Sequence, residues 1–259
     1  MPRFIIPPGL ESGLSLPANH DFYSLKEAFA KKAGLANEVL LAMQAVLERL
    51  NPSERGTRFL SGGAYEWIMA VACWSAGIKT IPGGHSQDGF DLVKYFDSLK
   101  GLWSIKSFTG PKLTGSPRIV NKLGSTTSKP VLTHPTIFIS PDLPGITLLD
   151  PGVAPKYASQ ARDVGDALVF PAALIKEFAA KNPEFVIPFS APVNPKKGTQ
   201  SPQMDIVVSI LTAGTYPNLG PIMTRMGQIA PTIAILKKNM DDGIITQEQF
   251  NKILEKFNN

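Results

Sequence analysis

Ten consecutive residues, Tyr65-Glu66-Trp67-Ile68-Met69-Ala70-Val71-Ala72-Cys73-Trp74, carry one charge, that of Glu66. At helical spacing this segment has no polar side, so it predicts a helix buried all round rather than one with a solvent face. Its apolar stretch, Trp67 to Trp74, is far shorter than the ~20 residues that cross a bilayer. The cover must therefore come from protein, and a chain of 259 residues is long enough to build that core without disulfide or metal staples. The single cysteine, Cys73, cannot close an intrachain disulfide. Met1-Pro2-Arg3 opens no signal-peptide core of the usual length. A cytoplasmic protein without a membrane segment is the expectation.

The pattern around this helix sets the fold class. Residues 1 to 20 are rich in Pro and Gly and read as an irregular arm. Asp21 or Ser24 suits the N-cap of a helix running to about Leu50, broken in two at Gly34, because Leu25, Phe29, Leu35, Val39, Leu40, Met43, Val46, Leu47 and Leu50 are spaced broadly as an apolar stripe. The buried helix is expected to start near Gly62-Gly63 and stop near Gly77. From Ile78 the apolar stretches become short and are separated by Gly, Pro and Asp, which predicts strands at 78–81, 89–93, 102–108, 136–139 and 146–149. Pro171 opens a helix that Asn182-Pro183 stops. Beyond a Pro-rich joint at 188–202, helices are expected at 204–211, 221–236 and 247–257, the last capped by Thr246 and Gln249. These readings give an α/β fold with a mixed central sheet flanked by helices over residues 1–190, and a helical C-terminal part, 191–259, packed on it.

Charge narrows the class of partner. The net formal charge is +5, and a single segment accounts for it: Lys94, Lys100, Lys106, Lys112, Arg118, Lys122 and Lys129 are opposed over that stretch only by Asp97, a local balance of +6. Such a run is either a solvated face or a contact surface for phosphates, with Lys112, Arg118 and Lys122 as the contacting residues.

Two acids stand out. Glu66 lies in the buried helix, where a carboxylate has to be paired, protonated or bound to a cation; a place near the helix N-terminus, where the macrodipole favours negative charge, is the other account. Asp91 lies between Phe90 and Leu92 in an expected strand. In the expected strand 102–108, Ser104 and Lys106 share one face. If 89–93 is the neighbouring strand, Asp91 projects onto that same face. Asp91 and Lys106 then form either a cross-strand ion pair or a site that binds a metal and activates water.

Glu66 on a helix, Asp91 on a strand and Ser104-Ile105-Lys106 on the next strand resemble the PD-(D/E)XK nuclease superfamily, the fold of many type II restriction endonucleases. The resemblance covers about residues 60 to 125. It implies that Glu66 matches the helix acid, Asp91 the strand acid and Lys106 the lysine of the tripeptide. Ser104 stands where the family pattern has Asp or Glu, and Ser107 to Lys129 contains no acid, so Glu66 would have to supply the second carboxylate. Mg²⁺ held by Asp91 and Glu66, with Lys106 beside the attacking water or the phosphate, is the implied chemistry, and DNA is the implied substrate. Cutting both strands of a palindrome calls for a two-fold homodimer.

Other motifs carry less. His85 and Asp88 sit in a Gly-rich loop before Asp91, and His20 and His134 are isolated; no zinc spacing exists among three histidines. Ser104 and Lys106 as a nucleophile and base lack an oxyanion hole. Asp241-Asp242-Gly243 fails the calcium-loop pattern and reads as a turn. The competing class of function is a non-catalytic nucleic-acid-binding or packaging protein that uses the basic segment 94–129; a protein that binds no polynucleotide is the third.

Overall fold

A computed structural model describes residues 4–52, 58–83, 89–94, 100–121, 132–165, 167–195 and 216–257. His85, Asp88, Asp97, Lys122, Lys129 and the expected helix at 204–211 lie outside them. In chain order the elements are α1 (Asp21–Lys31), α2 (Leu35–Arg49), α3 (Arg58–Ser75), β1 (Thr80–Pro82), β2 (Leu92–Lys94), β3 (Lys100–Ser107), β4 (Arg118–Asn121), β5 (Thr136–Ile139), β6 (Gly145–Leu149), α4 (Pro155–Ala158), β7 (Arg162–Val164), β8 (Ala167–Val169), α5 (Ala172–Lys181), β9 (Val186–Pro188), α6 (Leu219–Asp241) and α7 (Gln247–Glu255). The class is mixed α/β, as the sequence pattern predicts.

The chain divides into two compact units, each built from two separated stretches: Met1–Lys26 with Trp103–Asn194, and Glu27–Leu102 with Pro195–Asn259. One crossing, between Asn194 and Pro195, falls inside the Pro-rich joint. The other two fall within α1 and within β3, where the sequence offers no composition shift.

In the first unit the strand order is β3-β5-β6-β9. β3 and β5 run parallel, whereas β5, β6 and β9 are antiparallel, so the sheet is mixed. Every residue of β5 and β6 is buried, which is why both read as unbroken apolar runs rather than alternating ones. Gly145 is required where β6 meets β9: a Cβ there would stand 1.9 Å from the Ile187 carbonyl oxygen. On α5, Phe178 packs edge-on against Tyr157 and Phe185, at 4.9 and 5.3 Å between ring centroids. A second sheet, ordered β4-β8-β7, contains strands the sequence pattern misses. Three or four residues are too few for a periodicity, and β7 is exposed along its whole length.

In the second unit α2 buries Leu35, Val39, Met43, Val46 and Leu47 of the expected stripe and Ala42 besides, while Leu40 is half-buried. Gly34 separates α1 from α2 with φ +82°, a left-handed conformation that favours glycine. α3 is buried from Ile68 through Trp74, while Glu66 and Trp67 are half-buried. It begins by Arg58, so Gly62 and Gly63 are interior residues, not a start signal. The β1–β2 hairpin pairs Thr80 with Lys94 and Pro82 with Leu92. α7 carries the expected capping box, with the Gln249 N–H donating to Thr246 Oγ1 at 3.2 Å and the Thr246 N–H to Gln249 Oε1 at 2.9 Å.

α1 starts at Asp21, one of the two expected cap positions. The Phe22 N–H donates to Nδ1 of His20, the residue before the helix, at 3.1 Å.

Candidate functional site

The α3–β1 connection places the two acids of the second unit. The chain reverses after Ser75, and Thr80 is fastened to α3 twice: its hydroxyl donates to the Ala70 carbonyl at 3.2 Å, and Trp74 Nε1 donates to the Thr80 carbonyl at 2.5 Å. β1 then runs back along α3. Glu66 lies on α3 one turn before Ala70. Asp91 closes the β1–β2 hairpin: its carbonyl accepts the Gly83 N–H at 2.9 Å just beyond the Pro82–Leu92 pair. Both acids are half-buried.

Asp91 is not itself a strand residue. β2 starts at Leu92, and Asp91 sits in the bend before it, so the alternation argument that aimed its side chain does not apply. Its position follows instead from the backbone bond to Gly83.

Ser104 and Lys106 belong to the first unit apart from the acids, which lie in the second. They share one face of β3, opposite Thr136 and Phe138 in the β5 register. Ser104 is 4% exposed, and its N–H donates to the Pro135 carbonyl at 2.9 Å. Lys106 is half-buried. The burial of four successive residues, Leu102 to Ile105, shows that both faces of β3 are covered there.

The basic segment is less uniform in space than in sequence. Lys112 and Arg118 are exposed, but Lys112 has an acid near it that the sequence places thirty residues away. Asp142 accepts the Leu113 N–H at 2.7 Å and is ion-paired with Lys176. The bond from Lys176, then that from Leu113, together with the charges of Lys176 and Lys112, holds the Asp142 carboxyl below its ordinary range. The +6 of the segment is thus partly offset.

A group whose folded pKa is depressed stabilises the fold above its unfolded pKa and stops doing so as pH falls through the folded one. Asp142→Asn is expected to lower the urea midpoint at neutral pH. The gap to wild type should narrow as pH falls below about 4, and a constant gap across urea titrations at several pH values would remove the charge from the account.

Two further contacts escape the sequence. Glu38, 4% exposed on α2, accepts the N–H groups of Asn218 and Leu219 at the start of α6. His20 Nε2 lies 3.2 Å from Asp150 Oδ2. Since Nδ1 accepts the Phe22 N–H, Nε2 is the nitrogen that carries the hydrogen toward the carboxylate. Both ring nitrogens are engaged, so His20 anchors the end of the N-terminal arm.

Among the described residues no group of three or more His, Cys, Asp or Glu is gathered as a metal site. No described helix is long and apolar enough to cross a membrane. No protein-family model matches the chain, and neither the curated proteins nor the solved structures include a match to it.

Proposed function

We propose that the chain is a Mg²⁺-dependent endodeoxyribonuclease of restriction type, hydrolysing phosphodiester bonds in double-stranded DNA. The observation that supports this reading is the order of elements along the chain: Glu66 on α3, Asp91 in the bend that leads into β2, then β3 bearing Ser104 and Lys106. Helix acid, acid at a strand, then strand lysine is the order the PD-(D/E)XK resemblance implies.

The donor chemistry fits the ion. Mg²⁺ takes one or two carboxylates and fills its remaining positions with water and phosphate oxygens, and Glu66 and Asp91 are both half-buried carboxylates. Glu66 and Asp91 would hold it, and the bound ion would supply a water of lowered pKa and charge stabilisation at the phosphate. Lys106 stabilises the negative charge that develops on the reacting phosphate. Ser104 is a buried hydroxyl at the position of the pattern's second acid. It offers a hydrogen bond but no charge, which leaves Glu66 as the second carboxylate. Arg118, Lys112 and Lys122 hold the DNA backbone, and a two-fold homodimer supplies the second cut.

The test is incubation of the full chain with plasmid or phage DNA in Mg²⁺ and in excess chelator. Discrete bands that need the metal are expected. A metal-dependent smear would keep the nuclease and remove the site-specific restriction reading. Salt-dependent binding without cutting would favour the non-catalytic alternative.

A further inference from the structure

The small sheet β4-β8-β7 aligns two arginines that are distant in sequence. Arg118 on β4 and Arg162 on β7 are both paired in register with Val169 of β8. Residues directly opposite on neighbouring antiparallel strands project to one face, so Arg118, Val169 and Arg162 form a single cross-strand row. With strands about 4.8 Å apart, the outer two Cα atoms stand about 10 Å from each other. Both arginines are exposed, and Val169 between them is buried.

Arg162 is held in a particular way. Its guanidinium lies 4.5 Å from the centroid of the Phe4 ring. Among the described residues it has no carboxylate partner. Asp163, next on β7, alternates to the opposite face, across from Leu168. A guanidinium stacked on a ring has its plane set while its in-plane N–H donors can still form a fork on an oxyanion. The Cα atoms of Arg118 and Arg162, about 10 Å apart, cover the axial span of about three phosphates on one strand of B-form DNA, and both residues carry a permanent charge.

We propose that the Arg118–Arg162 row is a phosphate-binding surface for the DNA backbone, so that the contacts extend beyond the basic segment to β7. It rests on the reading of the chain as a DNA-acting protein and names where the backbone is held. Arg162 contacts phosphate and carries no base preference, since its donors are matched to a repeating anion rather than to a base edge.

The experiment measures affinity of the full chain for a duplex oligonucleotide across a salt series. Arg162→Ala is expected to weaken binding to all sequences alike and to make the log–log salt slope shallower by about one. Its deficit then shrinks about three- to fourfold between about 50 and about 200 mM salt. The double change with Arg118→Ala should roughly square that factor, and Arg162→Lys should restore most of the slope because the charge is kept. Arg162→Gln, which retains hydrogen bonding without charge, serves as the second probe and should behave as Ala does. If the neutral variants melt like wild type and keep its affinity and slope while wild type still binds and cuts DNA, the row is overturned and the nuclease reading stands. If wild type shows no salt-dependent affinity for the duplex, both are overturned together.

Discussion

Asp91→Ala is expected to lower Mg²⁺-dependent cleavage of plasmid DNA by more than about 100-fold while leaving the protein folded and able to bind. The structural reason for expecting a folded variant is specific: the bond that closes the hairpin uses the Asp91 carbonyl, which accepts the Gly83 N–H and is unchanged by the substitution. The side chain is thereby separable from the backbone role. Glu66→Gln is the sharper companion, because it preserves shape and hydrogen bonding and removes only charge. Cutting at the wild-type rate by Glu66→Gln would leave Asp91 without its second carboxylate, since Ser104 brings none. Cutting at the wild-type rate by Asp91→Ala would remove the metal site altogether. Melting temperature measured beside activity separates the two accounts of Asp91: loss of an ion pair lowers stability without selectively abolishing the reaction, whereas loss of a metal ligand does the reverse.

What was legible in the sequence was local. Thr246 and Gln249 lie within one turn of each other, so the capping box of α7 can be read directly. Gly34 marks the break between α1 and α2 because the bend needs positive φ. β5 and β6 show as apolar runs because both their faces are buried. The start of α3 was misplaced, since glycine propensity argued against a turn that tertiary burial of Ser61, Ala64 and Tyr65 sustains. Contacts between distant residues left no trace: His20 with Asp150, Lys112 near Asp142, and Arg118 in line with Arg162 each depend on strand or loop register. Glu38 is different, because its signal was present. It falls three residues after Leu35 and four before Ala42, on the buried stripe of α2, and a carboxylate on an apolar stripe is the same anomaly that singles out Glu66.

Glu38→Ala is expected to be the most destabilising single change at a charged residue of the second unit. The first N–H groups of a helix have no partner within it, and α6 begins with no side-chain cap from Asn218. Glu38 takes over that task from another helix. Its Oε2 accepts the Asn218 and Leu219 N–H groups at 3.0 and 2.9 Å, its Oε1 accepts the Asn218 N–H at 3.2 Å, and the Asn218 side-chain amide also donates to Oε1. A negative charge at this end is further favoured by the dipole of a 23-residue helix. Removing the carboxylate leaves the buried Leu219 N–H and the part-buried Asn218 donors without this acceptor, at a cost of about 3 kcal/mol, a large part of a typical stability of about 5 to 15 kcal/mol. Glu38→Gln keeps one acceptor oxygen and should lose about half as much. Urea unfolding at neutral pH, followed by a probe of helix content, measures both. A Glu38→Ala midpoint within error of wild type would mean that α6 is held by its apolar face, through Met223, Met226 and Ile233, and not by this cap.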